Sequence, residues 1–280
     1  MGHVFQGDSS LLAHTRTGSG EPIVLVHGIT HRRQIWDEVA AILSTDHEVI
    51  TVDMLGHGES PSVPWGVDAM GAICNALDDF LDELGLDRPT IAGNSMGGLF
   101  SLEMAARGKV GGVVAFAPAV FKREYVNFQV TRLMFIIAVN VATLMGPLAK
   151  LVFRVRGLRA VAMGWLAYHP TRIDPARAYA DARGMVRAMI TALRLSPMKA
   201  WEWDGTISRD IPVWIVPAQY DRILWKAQRR HVSRVVPHAV AFEQQNVGHV
   251  AMYDNPVQVA QIIRDHLAAR PARQSRPEVA

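Results

Sequence analysis

Ser95 stands in Gly93-Asn94-Ser95-Met96-Gly97-Gly98, between the apolar run Pro89-Thr90-Ile91-Ala92 and a helical pattern from Met96 to Arg107. A strand that reverses directly into a helix forces its central residue into strained backbone angles, and the glycines at 93 and 97 remove collisions that larger residues would make. The strain lifts the hydroxyl out of the turn and makes Ser95 a candidate nucleophile. The helix start at Met96 directs backbone N–H groups toward any negative charge developing nearby. A serine hydroxyl attacks poorly until an imidazole takes its proton, and the imidazole needs a carboxylate to fix its tautomer. His249, in Asn246-Val247-Gly248-His249-Val250, follows the last strand-like run, and Asp221, in Ala218-Gln219-Tyr220-Asp221, follows the run that ends at Val216. Phe116-Ala117-Pro118 offers no carboxylate, and Asp210 precedes its strand, at the wrong end of a parallel sheet. The candidates are therefore Ser95, Asp221 and His249, in the acid-then-histidine order that suits a serine on a strand-turn-helix.

The elements that must position these residues alternate regularly. Short runs rich in valine and isoleucine alternate with helical periodicities, which predicts a mostly parallel sheet with helices on both faces. Val4-Phe5 and Leu11-Leu12 read as an initial antiparallel pair, followed by strands at Pro22 to Val26, Val49 to Val52, Pro89 to Ala92, Val110 to Phe116, Ile211 to Val216 and Ala239 to Phe242. Asp68 is placed to cap a helix carrying Ile73, Leu77, Phe80 and Leu81, and Asn255 with Pro256 is placed to start the last one. From 119 to 200 the alternation stops. The expected organisation is a core of 1–118 and 201–270, a helical insertion at 119–200 and a flexible tail at 271–280.

Three further segments join the serine motif in resembling the α/β-hydrolase superfamily over residues 4–270. His27-Gly28-Ile29 resembles its oxyanion loop, Asp53-Met54-Leu55-Gly56-His57-Gly58-Glu59-Ser60 resembles its Asp-x-x-Gly-x-Gly-x-Ser turn, and the insertion sits where that family carries a cap. The resemblance implies an α/β fold with an eight-stranded, mostly parallel sheet and a helical cap. It also implies an oxyanion hole from the backbone N–H groups of Ile29 and Met96, and structural rather than basic roles for His27 and His57. His27, Gly28, Asn94, Met134 and Val250 are expected to border the substrate. Dehalogenases and epoxide hydrolases of this fold carry an aspartate where Ser95 stands, so the resemblance points to acyl-enzyme chemistry. Monoacylglycerol lipases and carboxylesterases share Ser95-Met96-Gly97-Gly98 but commonly have histidine before the serine. Asn94 instead matches hydrolases that cleave carbon–carbon bonds of ring-fission products, which usually have tryptophan after the histidine, where this chain has Val250. Cofactor-free haloperoxidases, which act as perhydrolases, share the triad, and a small-molecule-binding relative that does no chemistry is the alternative outside the enzymes.

Composition narrows the partners. About half of the 280 residues are hydrophobic, enough for a large core, and the single Cys74 excludes an intrachain disulfide. The N-terminus shows no charged region followed by an apolar one, so a cytoplasmic protein is expected. Residues 119–200 hold 13 Lys or Arg against 3 Asp or Glu, whereas the rest holds 16 against 23. Without an arginine-rich repeat or an aromatic RNA-binding signature, this asymmetry does not predict nucleic-acid binding. Outside His27, His57 and His249, the histidines, His31 among them, have no metal spacing and read as surface or helix-face residues, and no cofactor is expected. Arg32 and Arg33 are expected at the surface. Leu133 to Ala149 is uncharged, but Asn140, Gly146 and Pro147 interrupt it, so it reads as cap helices rather than a membrane span. Met134, Met145, Met163, Met185, Met189 and Met198 fall in the insertion and suit irregular apolar space around a lipophilic ligand. The function expected from the sequence is a serine hydrolase of carboxylic esters with a lipophilic acyl or alcohol group, the basic insertion being able to touch an anionic membrane from outside.

Overall fold

A computed structural model describes residues 12–29, 31–64, 66–120, 126–194 and 203–270. Its seven strands are β1 (His14–Thr17), β2 (Pro22–Val26), β3 (Glu48–Val52), β4 (Thr90–Asn94), β5 (Gly112–Phe116), β6 (Val213–Val216) and β7 (Val240–Ala241). They form one sheet in the order β1-β3-β2-β4-β5-β6-β7. Only β1 runs antiparallel, in register His14 to Val52; every other neighbouring pair is parallel.

The sequence reading of eight strands differs at the chain's start. Val4, Phe5 and Leu11 lie outside the described residues, Leu12 is not in a strand, and the antiparallel edge strand is His14–Thr17. Its sequence, His-Thr-Arg-Thr, has no apolar run to betray it. It is held as an edge by the ladder to β3 and by Arg16, whose Nε donates to Glu48 at 2.6 Å.

Ten helices are described: α1 (Asp37–Leu43), α2 (Ala69–Glu83), α3 (Met96–Ala106), α4 (Val126–Met145), α5 (Ala149–Arg154), α6 (Arg156–Met163), α7 (Pro175–Arg194), α8 (Lys226–Val235), α9 (Ala251–Asp254) and α10 (Pro256–Ala269). A parallel strand covered on both faces needs apolar residues on both, and β2 shows why its run is unbroken. Ile23 and Leu25 face a core with Trp36, Leu43, Val259 and Ile263 from α1, its preceding turn and α10. Val24 and Val26 face the other, with Leu77 and Phe80 of α2 and Phe100 of α3. Asp68 caps α2 by accepting from the N–H groups of Met70 and Gly71 at 3.3 and 3.1 Å, and Asn255 caps α10 by accepting from Gln258 at 3.0 Å. Such caps each contribute about 1 kcal/mol. Helices α4 to α7 occupy the region between β5 and β6 where the alternation is lost, with Gly146 and Pro147 in the 3-10 turn that separates α4 from α5.

Candidate active site

Ser95 is the one residue between the end of β4 and the start of α3, at φ 56° and ψ −117°. Such a conformation persists only where its surroundings impose it. Ser95 N–H donates to Phe116 O at 2.9 Å, and Ser95 O accepts from Leu99 and Ala119 at 3.1 and 2.9 Å. A Cβ on Gly97 would run into the carbonyls of Val26 and His27, and one on Gly93 into the carbonyl of Gly97. Both glycines are therefore demanded by the close approach of β4, α3 and the end of β2.

His249 and Asp221 come from loops after β7 and β6. The Nδ1–H of His249 donates to Asp221 Oδ2 at 2.8 Å, with both side chains buried. The other oxygen, Asp221 Oδ1, accepts the N–H groups of Ile223 and Leu224, each at 2.8 Å. The carboxylate is thus fixed by its own backbone turn and leaves one oxygen for the imidazole. Asp210, set aside from the sequence, sits exposed and paired with Arg88. Asn94 ties the turn to the histidine loop: its Nδ2 donates to His249 O at 2.9 Å and Phe116 O at 3.3 Å.

The loop after β2 closes tightly, His31 N–H donating to Gly28 O at 3.0 Å. A Cβ on Gly28 would come within 3.2 Å of Ser95 Cβ, so the loop lies directly against the serine. His57 reaches the same loop from the Asp53–Ser60 turn, with Nε2 2.7 Å from Ile29 O and Nδ1 3.1 Å from Leu55 O. Burial lowers the pKa of His57. A neutral ring donates to only one of those carbonyls, and the shorter contact favours Nε2–H on Ile29.

His27 does not border the site, contrary to the sequence expectation. Its Nδ1–H donates to Gly28 O at 2.8 Å and its Nε2 accepts the N–H of Met54 at 3.0 Å. Burial, then the neighbouring His57, pushes its pKa down to about 3. Arg33, expected at the surface, is buried instead: its N–H and guanidinium both hold Asp53, and it reaches Glu59 at 2.6 Å. A buried carboxylate in this turn needs a cation, and Arg33 is the nearest in the chain.

Two cavities lie at or beside these residues. The smaller, about 10 Å³, is lined by Gly28, Ile29, Asn94, Ser95, His249 and Val250, among others, and that is about the space of one water. Phe135 lines it where Met134 was expected; Met134 packs instead against the apolar core. The larger, about 780 Å³, lies among α4 to α7 and is walled by Met145, Phe153, Met163, Trp165, Tyr179 and Met185, among others. Of the other methionines singled out from the sequence, Met198 lies outside the described residues. His31 and Leu166 border both cavities.

His31, too, lies elsewhere than sequence reasoning put it. It is buried, its Nε2 3.2 Å from the Tyr253 hydroxyl, which donates to Asp181 Oδ2 on α7 at 2.6 Å. Burial, then the charges of His249 and Arg177, pushes its pKa down to about 3. Arg32 approaches Asp181 at 3.8 Å. The chain runs from the loop after β2, through the helix after His249, into α7. Asp254 adds a second tie, accepting from Gly248, Tyr168 and His169 at 2.7 to 2.9 Å. None of Tyr253, Asp181 or Asp254 stands in a motif, so only their spatial convergence identifies them.

Comparison with known proteins follows the fold. An uncharacterized protein of Mycobacterium tuberculosis (strain ATCC 25618 / H37Rv) is 39% identical over 88 residues, 31% of this chain and 26% of that protein. Esterase YbfF of Escherichia coli (strain K12) is 39% identical over 88 residues, 31% of this chain and 34% of that protein. The matched segment thus spans about a third or less of either relative. Among solved structures, a thermophilic esterase from Thermogutta terrifontis superposes with TM-score 0.66 at 24% identity, covering 92% of this chain and 93% of that one. Epoxide hydrolase CorEH superposes with TM-score 0.73 at 16% identity, covering 92% and 94%. At those identities the likeness is one of fold. The alpha/beta hydrolase family profile matches residues 23–262, a span that holds Ser95, Asp221, His249 and the loop against the serine, and the chain belongs to that family.

Proposed function

We propose that the chain is a serine hydrolase of carboxylic esters whose acyl or alcohol group is lipophilic, with helices α4 to α7 as its cap. The observation that carries the reading is the strained Ser95 sharing a small cavity with the Asp221-bound His249, next to a mostly apolar cavity of about 780 Å³ that has His31 and Leu166 in common with it. That volume lies in the range of small-molecule sites. In this mechanism Ser95 Oγ attacks the ester carbonyl as His249 Nε2 takes its proton; the oxyanion is held by the N–H groups of Ile29 and Met96. Collapse expels the alcohol, protonated by His249, and leaves an acyl-enzyme. Water activated by the same nitrogen then releases the acid. Esterase-named relatives support the class, and Asn94, shared with carbon–carbon hydrolases, supports those as the second reading.

The test is kcat/KM on p-nitrophenyl esters from acetyl to palmitoyl, with Ser95→Ala as control. Each methylene that leaves water for the cavity contributes about 0.8 kcal/mol, so kcat/KM is expected to rise up to about fourfold per methylene until the cavity is full. Ser95→Ala is expected to abolish all of it. Flat, weak rates that still need Ser95 would favour carbon–carbon cleavage, and rates surviving Ser95→Ala would overturn the mechanism.

A further inference from the structure

The helices between β5 and β6 turn an apolar face to solvent. On α4, Val130, Leu133, Ile137, Val141 and Leu144 recur at intervals of three and four residues, which sets them on one side of the helix. All are exposed, Leu144 to 89%. Leu148 and Leu151 continue the spacing into α5, and Val161 on α6 is 82% exposed. Contiguous apolar surface of this kind marks an interaction site.

Charge says what meets it. From Val126 to Ile173 there is no Asp or Glu, while Lys150, Arg154 and Arg156 are exposed on α5 and at the start of α6. Arg159 takes no part in this cationic rim; it is buried, donating to Phe153 O at 2.7 Å. A second copy docking through the same patch would bring these cations against themselves. An anionic bilayer offers apolar chains and negative headgroups together. No described helix is long and apolar enough to cross a membrane, so the face suits contact from one side. Val141 and Val161 carry the argument further, because both exposed side chains also line the 780 Å³ cavity.

We propose that this face of α4 to α6 docks on an anionic lipid bilayer, and that Val141 and Val161 frame the mouth through which a lipid chain passes from the bilayer into the cavity. Docking stands on the surface alone; passage of a substrate rests on the ester-hydrolase reading. The test is co-sedimentation with vesicles of phosphatidylcholine, with or without phosphatidylglycerol, for four proteins. These are the unmodified chain, Leu133→Asp/Leu144→Asp, Lys150→Gln/Arg154→Gln/Arg156→Gln, and Ser95→Ala. Each cation near an anionic surface adds about fivefold to partitioning, so the triple variant is expected to lose about a hundredfold. The aspartate pair is expected to lose binding to both vesicle types. Both variants are expected to keep the unmodified chain's kcat/KM for soluble p-nitrophenyl acetate, which shows that they fold. Ser95→Ala is expected to bind vesicles normally, so loss of the hydrolase reading leaves docking intact and visible. Equal binding with and without phosphatidylglycerol, or no binding at all, would overturn the proposal. So would a dimer in sedimentation velocity that Leu133→Asp/Leu144→Asp dissolves, since the face would then belong to a second copy.

Discussion

At the residue scale, the two oxygens of Asp221 have separate duties. Oδ1 is committed to the N–H groups of Ile223 and Leu224, and Oδ2 faces His249 Nδ1. In Asp221→Asn the amide oxygen must stay with the two backbone donors, so the NH₂ turns to His249 and forces the imidazole proton onto Nε2. That nitrogen could then no longer accept the proton of Ser95. The expected result is a fall in kcat of about ten-thousand-fold with KM for p-nitrophenyl butyrate little changed. A loss under tenfold would mean that Asp221 does not set the tautomer, and the acid of the mechanism would have to be sought elsewhere.

At the element scale, the glycines of the serine turn act through the strands and helix they bring together. Ala at Gly97 would press on the carbonyls of Val26 and His27, backbone atoms that cannot swing aside. Overpacking of this kind costs about 1–3 kcal/mol, read as a lower urea midpoint for Gly97→Ala, and an unchanged midpoint would refute the packing argument. Elements of this sort were legible in the sequence because geometry restricts residue type. β2, β3, β4 and β5 are buried on both faces and show as apolar runs, and the serine turn shows as paired glycines. β1 was not legible, since an edge strand with one neighbour tolerates His-Thr-Arg-Thr. The helices between β5 and β6 show in the sequence as a break in rhythm and a cluster of methionines, but the cavity among them does not. Met145, Met163 and Met185 reach that space while Met134 does not, and which side of a helix meets a void depends on its partners. His31, Tyr253 and Asp181 escaped for the same reason: 222 residues separate the first pair, and no local pattern records the contact.

At the scale of the whole molecule, burial of histidine couples stability to acidity. The unfolded chain protonates its histidines as pH falls below about 6.5. In the fold, burial holds His27 and His31 neutral down to about 3, and His266, in contact with Pro212 O at 3.2 Å, down to about 4. Folded pKa values lie below unfolded ones, so the stability these groups contribute is present above pH 6.5 and is lost as pH falls from there, toward 4 for His266 and toward 3 for His27 and His31. Each histidine costs about 1.4 kcal/mol per pH unit across that window. Burial raises the pKa of Asp181 and of Asp37. Their folded forms therefore hold protons more tightly than the unfolded chain does, which offsets part of the loss. Three histidines nonetheless amount to about 4 kcal/mol between pH 7.5 and 5.5, and a urea midpoint measured at both is expected to fall by about 1 M or more. His266→Gln removes one titrating group at the far end of the sheet from Ser95, and is expected to flatten that slope by about a third while leaving ester hydrolysis at pH 7.5 unchanged. A midpoint constant between the two pH values would show that these imidazoles are not held neutral in the fold.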